Sequence, residues 1–360
     1  SRANLQTYKQ SKGGYLKMKR NMYAWIEDQK AATAKKALPV LSFPSVQLLG
    51  ITVRELINDS DLQAKGMKAV ADRVPTAAAV SLMDLSLEAE CFGSKIRVSD
   101  EEVPTVVGSL IDAELDEDER LEQAKALAVP AVGAGRTQIY IDAIEKAVGL
   151  ITDRPVLAGV IGPFSLAGRL MDVTEAMIYC YDEPDMVHVL LQKATDFIIQ
   201  YIKAYKAVGA NGVVLAEPLA GLLSPGLAQE FSGDYCKQIV DAVQDESFIV
   251  VYHNCGNTAV LTMDSLLSCG AKAYHFGDAV DMAEVMEKIP SDVMALGNVS
   301  PAGEFRGGTP ESIKRATWKV MEACCKYPNF VISSGCDIPP MSPWENIDAF
   351  FAAVDAFYQK

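Results

Sequence analysis

Short runs of apolar residues alternate along the chain with longer stretches in which apolar positions recur every three or four residues. The runs at 38–43, 77–83, 155–161, 213–217, 248–253, 272–276, 293–297 and 330–334 predict eight β-strands. Between them, 185–207 sets Met186, Val189, Leu190, Phe197, Ile198 and Ile202 at helical spacing, and 227–243 and 281–288 repeat the pattern. Thr309 before Pro310 marks the start of a helix over 310–325, and 343–358 predicts a closing helix. The stretch 101–154 is the least regular. An acidic helix starts at 115–120, and Gly133-Ala-Gly-Arg136 forms a loop that matches neither a dinucleotide fingerprint nor a P-loop. This stretch is expected to be a helical excursion, residues 1–36 an N-terminal helical cap, and 37–360 a single catalytic domain.

Strands that alternate with helices predict an α/β fold. The expectation is a (β/α)8 TIM barrel with an N-terminal helical extension and a helical insertion; an open doubly wound sheet is the alternative. In a barrel, chemistry gathers at the C-terminal ends of the strands. The residues at or just past those ends are Asp84, Glu217, His253, Cys255, His275, Asn298 and Cys336. Nearly every ligand-type residue of the second half falls there.

Composition narrows the function classes. The 360 residues carry 33 basic and 47 acidic side chains, a net charge of −14, which argues against a partner bound through its phosphate backbone. No apolar run is long enough to predict a membrane span, and 1–19 is polar, without the apolar stretch of a secretory leader. The eight cysteines are scattered rather than clustered, which predicts reduced thiols in the cytoplasm.

Two stretches carry the chemistry. His253 and Cys255 stand two apart at one strand end, and Cys336 follows the last strand, three βα units later. One imidazole and two thiolates provide three ligands of a tetrahedral Zn²⁺ site with an open fourth position. The other reading makes His253 a hydrogen-bonded core histidine and the cysteines small buried apolar residues. Spacing alone leaves both standing.

Longer motifs add to this. They are Gly50-Ile-Thr-Val-Arg-Glu55, Met83-Asp-Leu-Ser-Leu-Glu-Ala-Glu90 with Phe92-Gly93, Gly162-Pro-Phe-Ser-Leu-Ala-Gly168 and Ala216-Glu-Pro-Leu-Ala-Gly221. They continue with His253-Asn-Cys-Gly-Asn257, Gly297-Asn-Val-Ser-Pro301, Gly335-Cys-Asp-Ile-Pro339 and Pro343-Trp-Glu-Asn-Ile347. In this collinear order the chain resembles the uroporphyrinogen decarboxylase superfamily. Within it, the chain resembles the corrinoid-dependent methyltransferases of the methylcobamide:coenzyme M and chloromethane type. That branch uses a His-x-Cys…Cys zinc site, and the matching positions here are His253, Cys255 and Cys336. The decarboxylase branch holds its substrate's carboxylates with an arginine-bearing loop. The equivalent stretch here, 41–50, has no Lys or Arg, although Asp84 matches the decarboxylase's catalytic aspartate position.

The resemblance implies a zinc-dependent methyltransferase with one Zn²⁺ per chain. It would move a methyl group between a methylcobamide carried by a partner corrinoid protein and a thiol or small methylated substrate. The alternatives are a decarboxylase-like enzyme and a non-catalytic metal-binding barrel subunit. Glu217 and Asp84 are candidate catalytic residues, and Glu217 could also be a fourth ligand; a salt-bridged barrel carboxylate is the structural alternative. His275, Asn257, Asn298 and Glu88 are candidate substrate contacts, with Glu90 in the same acidic wall. A thiol-sulfonate would want a cation, for which Arg169 and Arg306 are candidates.

Overall fold

The computed structural model describes residues 19–360. Its strands are β1 (Ala79–Val80), β2 (Lys95–Arg97), β3 (Thr105–Val107), β4 (Val156–Ile161), β5 (Gly212–Ala216), β6 (Ile249–Asn254), β7 (Ala273–Phe276), β8 (Met294–Val299) and β9 (Phe330–Ser334). Seven of them form one curled parallel sheet in the order β1-β4-β5-β6-β7-β8-β9, while β2 and β3 make a separate antiparallel hairpin. The parallel strands are buried on both faces, as their near-continuous apolar runs require.

Alternation sorts each strand into two sets. Val214 and Ala216, Ile249 and Val251, Ala273, Met294 and Leu296, and Val331 share one apolar cluster on the concave face. Val213 and Leu215, Val250 and Tyr252, Tyr274 and Phe276, and Phe330 and Ile332 pack outward against the helices. Two residues further on, the concave set becomes His253, His275, Asn298 and Ser333. Ladder register pairs His253 with His275 and Asn298 with Ser333. The helix Met22–Ala31, capped by Asn21, buries Met22, Trp25 and Ile26 in the same concave cluster.

Eight strands were expected, and the sheet contains seven. The segment 37–41 joins the two sheet edges without forming a ladder: Leu38 N–H donates to Ile332 O at 3.0 Å, and Ala37 O accepts from Ala77 N–H at 2.8 Å. Three features interrupt pairing. Pro39 has no N–H, Val40 N–H is taken by Ser334 Oγ at 3.0 Å, and Leu38 O is taken by the Ser333 hydroxyl at 2.7 Å. The expected strand 77–83 shortens to β1 because the Ser81 hydroxyl captures Gly159 N–H at 3.1 Å.

The stretch 101–154 is not purely helical. It includes β3, then the helix Glu117–Ala126 with Asp116 as its cap. The helix Thr137–Leu150 buries Tyr140, Ile141, Ile144 and Ala147 and belongs to the layer around the sheet. The helix Pro310–Cys324 begins as expected, with Thr309 Oγ1 accepting from Ser312 N–H at 3.1 Å. Among the described residues, no helix is long and apolar enough to cross a membrane.

Candidate metal centre

β6 delivers His253 to the concave face at its C-terminal end, and the chain turns at once into the loop that carries Cys255. That turn is built by Asn254, whose Oδ1 accepts from Gly256 N–H at 2.9 Å, and by Thr258, whose hydroxyl donates to Gly221 O at 3.0 Å. Gly256 lies against the Gly221 backbone so closely that a Cβ at either position would collide with the other. Cys336 stands two residues past β9. One ligand atom from each of His253, Cys255 and Cys336 lies within 4.8 Å of the others.

Two observations test whether these residues suit a metal. His253 Nε2 is buried with no hydrogen-bond partner, an expensive state for an imidazole nitrogen unless it binds something. The two thiols shift in opposite directions: the hydrogen bond from Cys336, then His253, pull Cys255 down, while that same bond and burial hold Cys336 up. Two thiols beside an unpartnered imidazole nitrogen are a soft N/S donor set of the kind zinc takes. The residues fit a zinc ion.

Glu217 is not at this centre. Its carboxylate accepts from Phe164 N–H at 3.0 Å, Ser165 N–H at 2.7 Å and the Ser232 hydroxyl at 2.7 Å, capping the helix Pro163–Met171. Burial raises its pKa, and these donors oppose the rise. The helix N-terminus and Ser232 together engage both oxygens, which accounts for this buried carboxylate without a metal. Strand parity carried the signal, since Val214 and Ala216 define the concave set and Glu217 falls in the opposite one.

His275, expected as a substrate contact, spends both ring nitrogens on protein partners. It is buried behind His253, Nδ1 to Nδ1 at 2.7 Å, with its Nε2 on Ser333 Oγ at 2.8 Å. Asn298 spends its amide on Gly277 O at 2.9 Å and Val280 O at 2.8 Å, holding the loop after β7 rather than a ligand. Asn257 is exposed on the Cys255 loop. His188 bonds Tyr235 at 2.7 Å and Glu230 at 3.0 Å, and Arg306 is exposed.

The acidic wall after β1 is built around a residue the sequence reading passed over. Arg136 donates from Nη1 to Asp84 Oδ2 at 2.9 Å and from Nε to Glu90 Oε2 at 2.8 Å, leaving Nη2 buried and unpartnered. Tyr140 adds its hydroxyl to the same Asp84 oxygen at 2.7 Å, and Ser86 takes the other at 2.6 Å. Glu88 accepts from Ile161 N–H at 3.0 Å, while its Oε2 has no partner; burial pushes its pKa up to about 8. Asp337, next to Cys336, keeps Oδ1 unpartnered, and burial followed by the charge of Asp84 holds its proton. Arg136 had been visible only as the end of a glycine loop, and Asp337 only as a motif neighbour. Arg169 is half-buried, donates to Ser165 O at 3.0 Å and, with Ser86, Thr105, Asp172 and Thr174, lines a cavity of about 280 Å³.

Comparison with known proteins agrees with this picture at family level. The uroporphyrinogen decarboxylase (URO-D) family model matches residues 41–357. The chain belongs to the URO-D family. Relatives of two activities are similar to it. Methylcobamide:CoM methyltransferase MtbA of Methanosarcina mazei is 29% identical over 275 residues, covering 73% of this chain and 75% of that protein. Uroporphyrinogen decarboxylase of Coxiella burnetii is 26% identical over 298 residues, covering 79% and 78%. Among solved structures, a methyltransferase from Methanosarcina mazei superposes with a TM-score of 0.79 at 25% identity, over 94% of this chain and 98% of that one. A B12-independent methionine synthase from Shewanella sp. W3-18-1, TM-score 0.56 and 11% identity over 91% and 96%, shares the fold.

Membership in the URO-D family leaves the activity to be argued from the site. A polycarboxylate substrate requires cations with donors to spare. The 41–50 stretch offers no Lys or Arg, and Arg136, which reaches the wall from elsewhere, pairs with two carboxylates of this chain and keeps only its buried Nη2 unpartnered.

Proposed function

We propose that this chain is a zinc-dependent methyltransferase. It moves a methyl group between a methylcobamide, carried by a partner corrinoid protein, and a thiol or small methylated substrate. The observation that carries the reading is the convergence of His253, Cys255 and Cys336 within 4.8 Å, with Nε2 of His253 buried and unpartnered. The methylcobamide:CoM methyltransferases among its relatives support methyl transfer. Such a centre belongs in the reducing cytoplasm, and all eight cysteines are unpaired. The reading takes the fold as a (β/α)8 barrel with 37–41 as its eighth stave, supported by the bonds from both sheet edges to that segment. Residues 37–360 then act as one catalytic unit, with the N-terminal helical segment closing the end opposite the site.

His253, Cys255 and Cys336 would hold a zinc ion, which would supply Lewis acidity toward a thiol, thioether or ether, and the two cysteinates would offset its charge. The wall after β1 does the remaining work. Asp84 is fixed by Arg136, Tyr140 and Ser86, so it presents a rigid, fully bonded carboxylate rather than a mobile base. Glu88, neutral below about pH 8, and Asp337 offer hydrogen bonds with unspent capacity. Arg169 and the cavity it lines with Ser86 offer a small polar substrate a place.

The test uses purified protein. About one zinc per chain is expected. Methylcobalamin is expected to lose its methyl group to one or more members of a thiol panel, read from the cobalamin absorbance. A filled zinc site that neither demethylates methylcobalamin with any thiol nor methylates cob(I)alamin from small methylated donors would refute methyl transfer and leave the non-catalytic reading.

A further inference from the structure

We infer that His275 is a positioning residue: through a hydrogen-bond relay it fixes the tautomer of His253, so that the bare Nε2 faces Cys255 and Cys336. This rests on the reading of those three residues as metal ligands, and it assigns His275 a place behind the site instead of in contact with substrate.

The relay can be read from its far end. Leu38 O is a carbonyl and can only accept. Ser333 has one hydroxyl proton, which it donates to that carbonyl at 2.7 Å. Ser333 Oγ must therefore accept from its other neighbour, Nε2 of His275, 2.8 Å away. His275 is buried and neither ring nitrogen bonds a carboxylate, so it carries a single proton, and that proton is on Nε2. Its Nδ1 is then bare and accepts. The nitrogen 2.7 Å from it, Nδ1 of His253, must supply the proton. A neutral His253 with Nδ1 protonated has its lone pair on Nε2, the one nitrogen of the pair left buried without a partner.

Each link thus dictates the next, and the chain of bonds ends at the ligand atom with the electronic form a metal needs. Metal-bound histidines commonly give their second N–H to a carboxylate or a carbonyl. Here the acceptor is another imidazole, itself tethered through Ser333 to the 37–41 segment. Register makes this possible: His253 and His275 are ladder partners on β6 and β7, and both fall in the concave set with Ser333 of β9. The relay therefore ties four separate chain segments to one ligand orientation.

The test compares His275→Phe, which fills the space but accepts nothing, with His275→Asn, whose carbonyl can accept from His253 Nδ1–H. Zinc affinity is measured by competition with a chromophoric chelator, and Co²⁺-loaded protein is monitored by its thiolate charge-transfer and ligand-field bands. His275→Phe is expected to bind zinc about 10–100-fold more weakly with altered Co²⁺ bands, and His275→Asn to recover most of the affinity. Circular dichroism establishes that each variant is folded. Should His275→Phe fail to fold, long-range ¹H–¹⁵N NMR on the zinc-loaded wild type decides the matter: Nδ1 protonated and Nε2 metal-bound on His253 supports the relay, and the reverse overturns it. A folded His275→Phe with wild-type zinc affinity also overturns it while leaving the metal site intact. A wild-type chain that binds no zinc overturns the metal reading itself.

Discussion

Glu88→Gln should change how stability depends on pH, and the size of the change follows from the site. Glu88 is 1% exposed, with one oxygen on Ile161 N–H and the other unpartnered. Burial lifts its pKa from 4.5 to about 8, and the Ile161 N–H, followed by weaker contributions including Arg169, offsets only part of that. Between those values the unfolded chain has released this proton and the folded chain has kept it. The native state binds the extra proton, so stability falls as pH rises, by up to ~1.4 kcal/mol per pH unit. Over the whole interval the loss is about 5 kcal/mol; it is absent below the unfolded value and complete above about pH 8. Glutamine keeps an oxygen for Ile161 N–H and cannot ionise. Urea unfolding of both proteins at several pH values, with zinc chelated so that metal-linked protons cancel, isolates the term. The variant's advantage over wild type should be small in acid and grow steadily toward pH 8. An advantage that does not change with pH would mean that Glu88 is ionised in the folded chain, and the account of the wall as carrying a neutral carboxyl would be wrong.

Three other outcomes are expected. Cys336→Ser should lose most of the bound zinc by elemental analysis while keeping its far-ultraviolet dichroism; full occupancy would contradict the ligand assignment. Glu217→Gln should lower stability by about 1–3 kcal/mol in denaturant, because one of the helix donors loses its acceptor, yet leave zinc stoichiometry unchanged. A drop in zinc would restore Glu217 to the metal. Arg136→Met should destabilise by about 3–5 kcal/mol near neutral pH, since it strands Asp84 and Glu90 without their cation, and the penalty should shrink in acid. A variant as stable as wild type at pH 7 would show that the pairing is not needed to hold the wall.

Much of this protein is legible from its sequence, because strand periodicity is a local property. Apolar runs locate β4 to β9, and His253, Cys255 and Cys336 stand at or just past their C-terminal ends. The same runs overstated the first two strands. Pro39, Ser81, Ser333 and Ser334 divert the ladder bonds there, and whether a serine hydroxyl takes a backbone partner depends on what lies across the gap.

The sequence determined which residue types reach the C-terminal rim and, by parity, which face of a strand each occupies. Tertiary structure alone decided what each one meets there. Glu217 could have faced a metal, but amides of Phe164 and Ser165, 53 and 52 residues away, bind its carboxylate. His275 could have touched substrate, but ladder register sets it behind His253. Arg136 enters the wall from a helix start that no strand pattern marks, because a long side chain's partner is set by the packing of its helix against the sheet. Polar satisfaction is a global condition: a buried donor or acceptor takes whichever partner the completed fold brings within about 3 Å, and local sequence does not encode that.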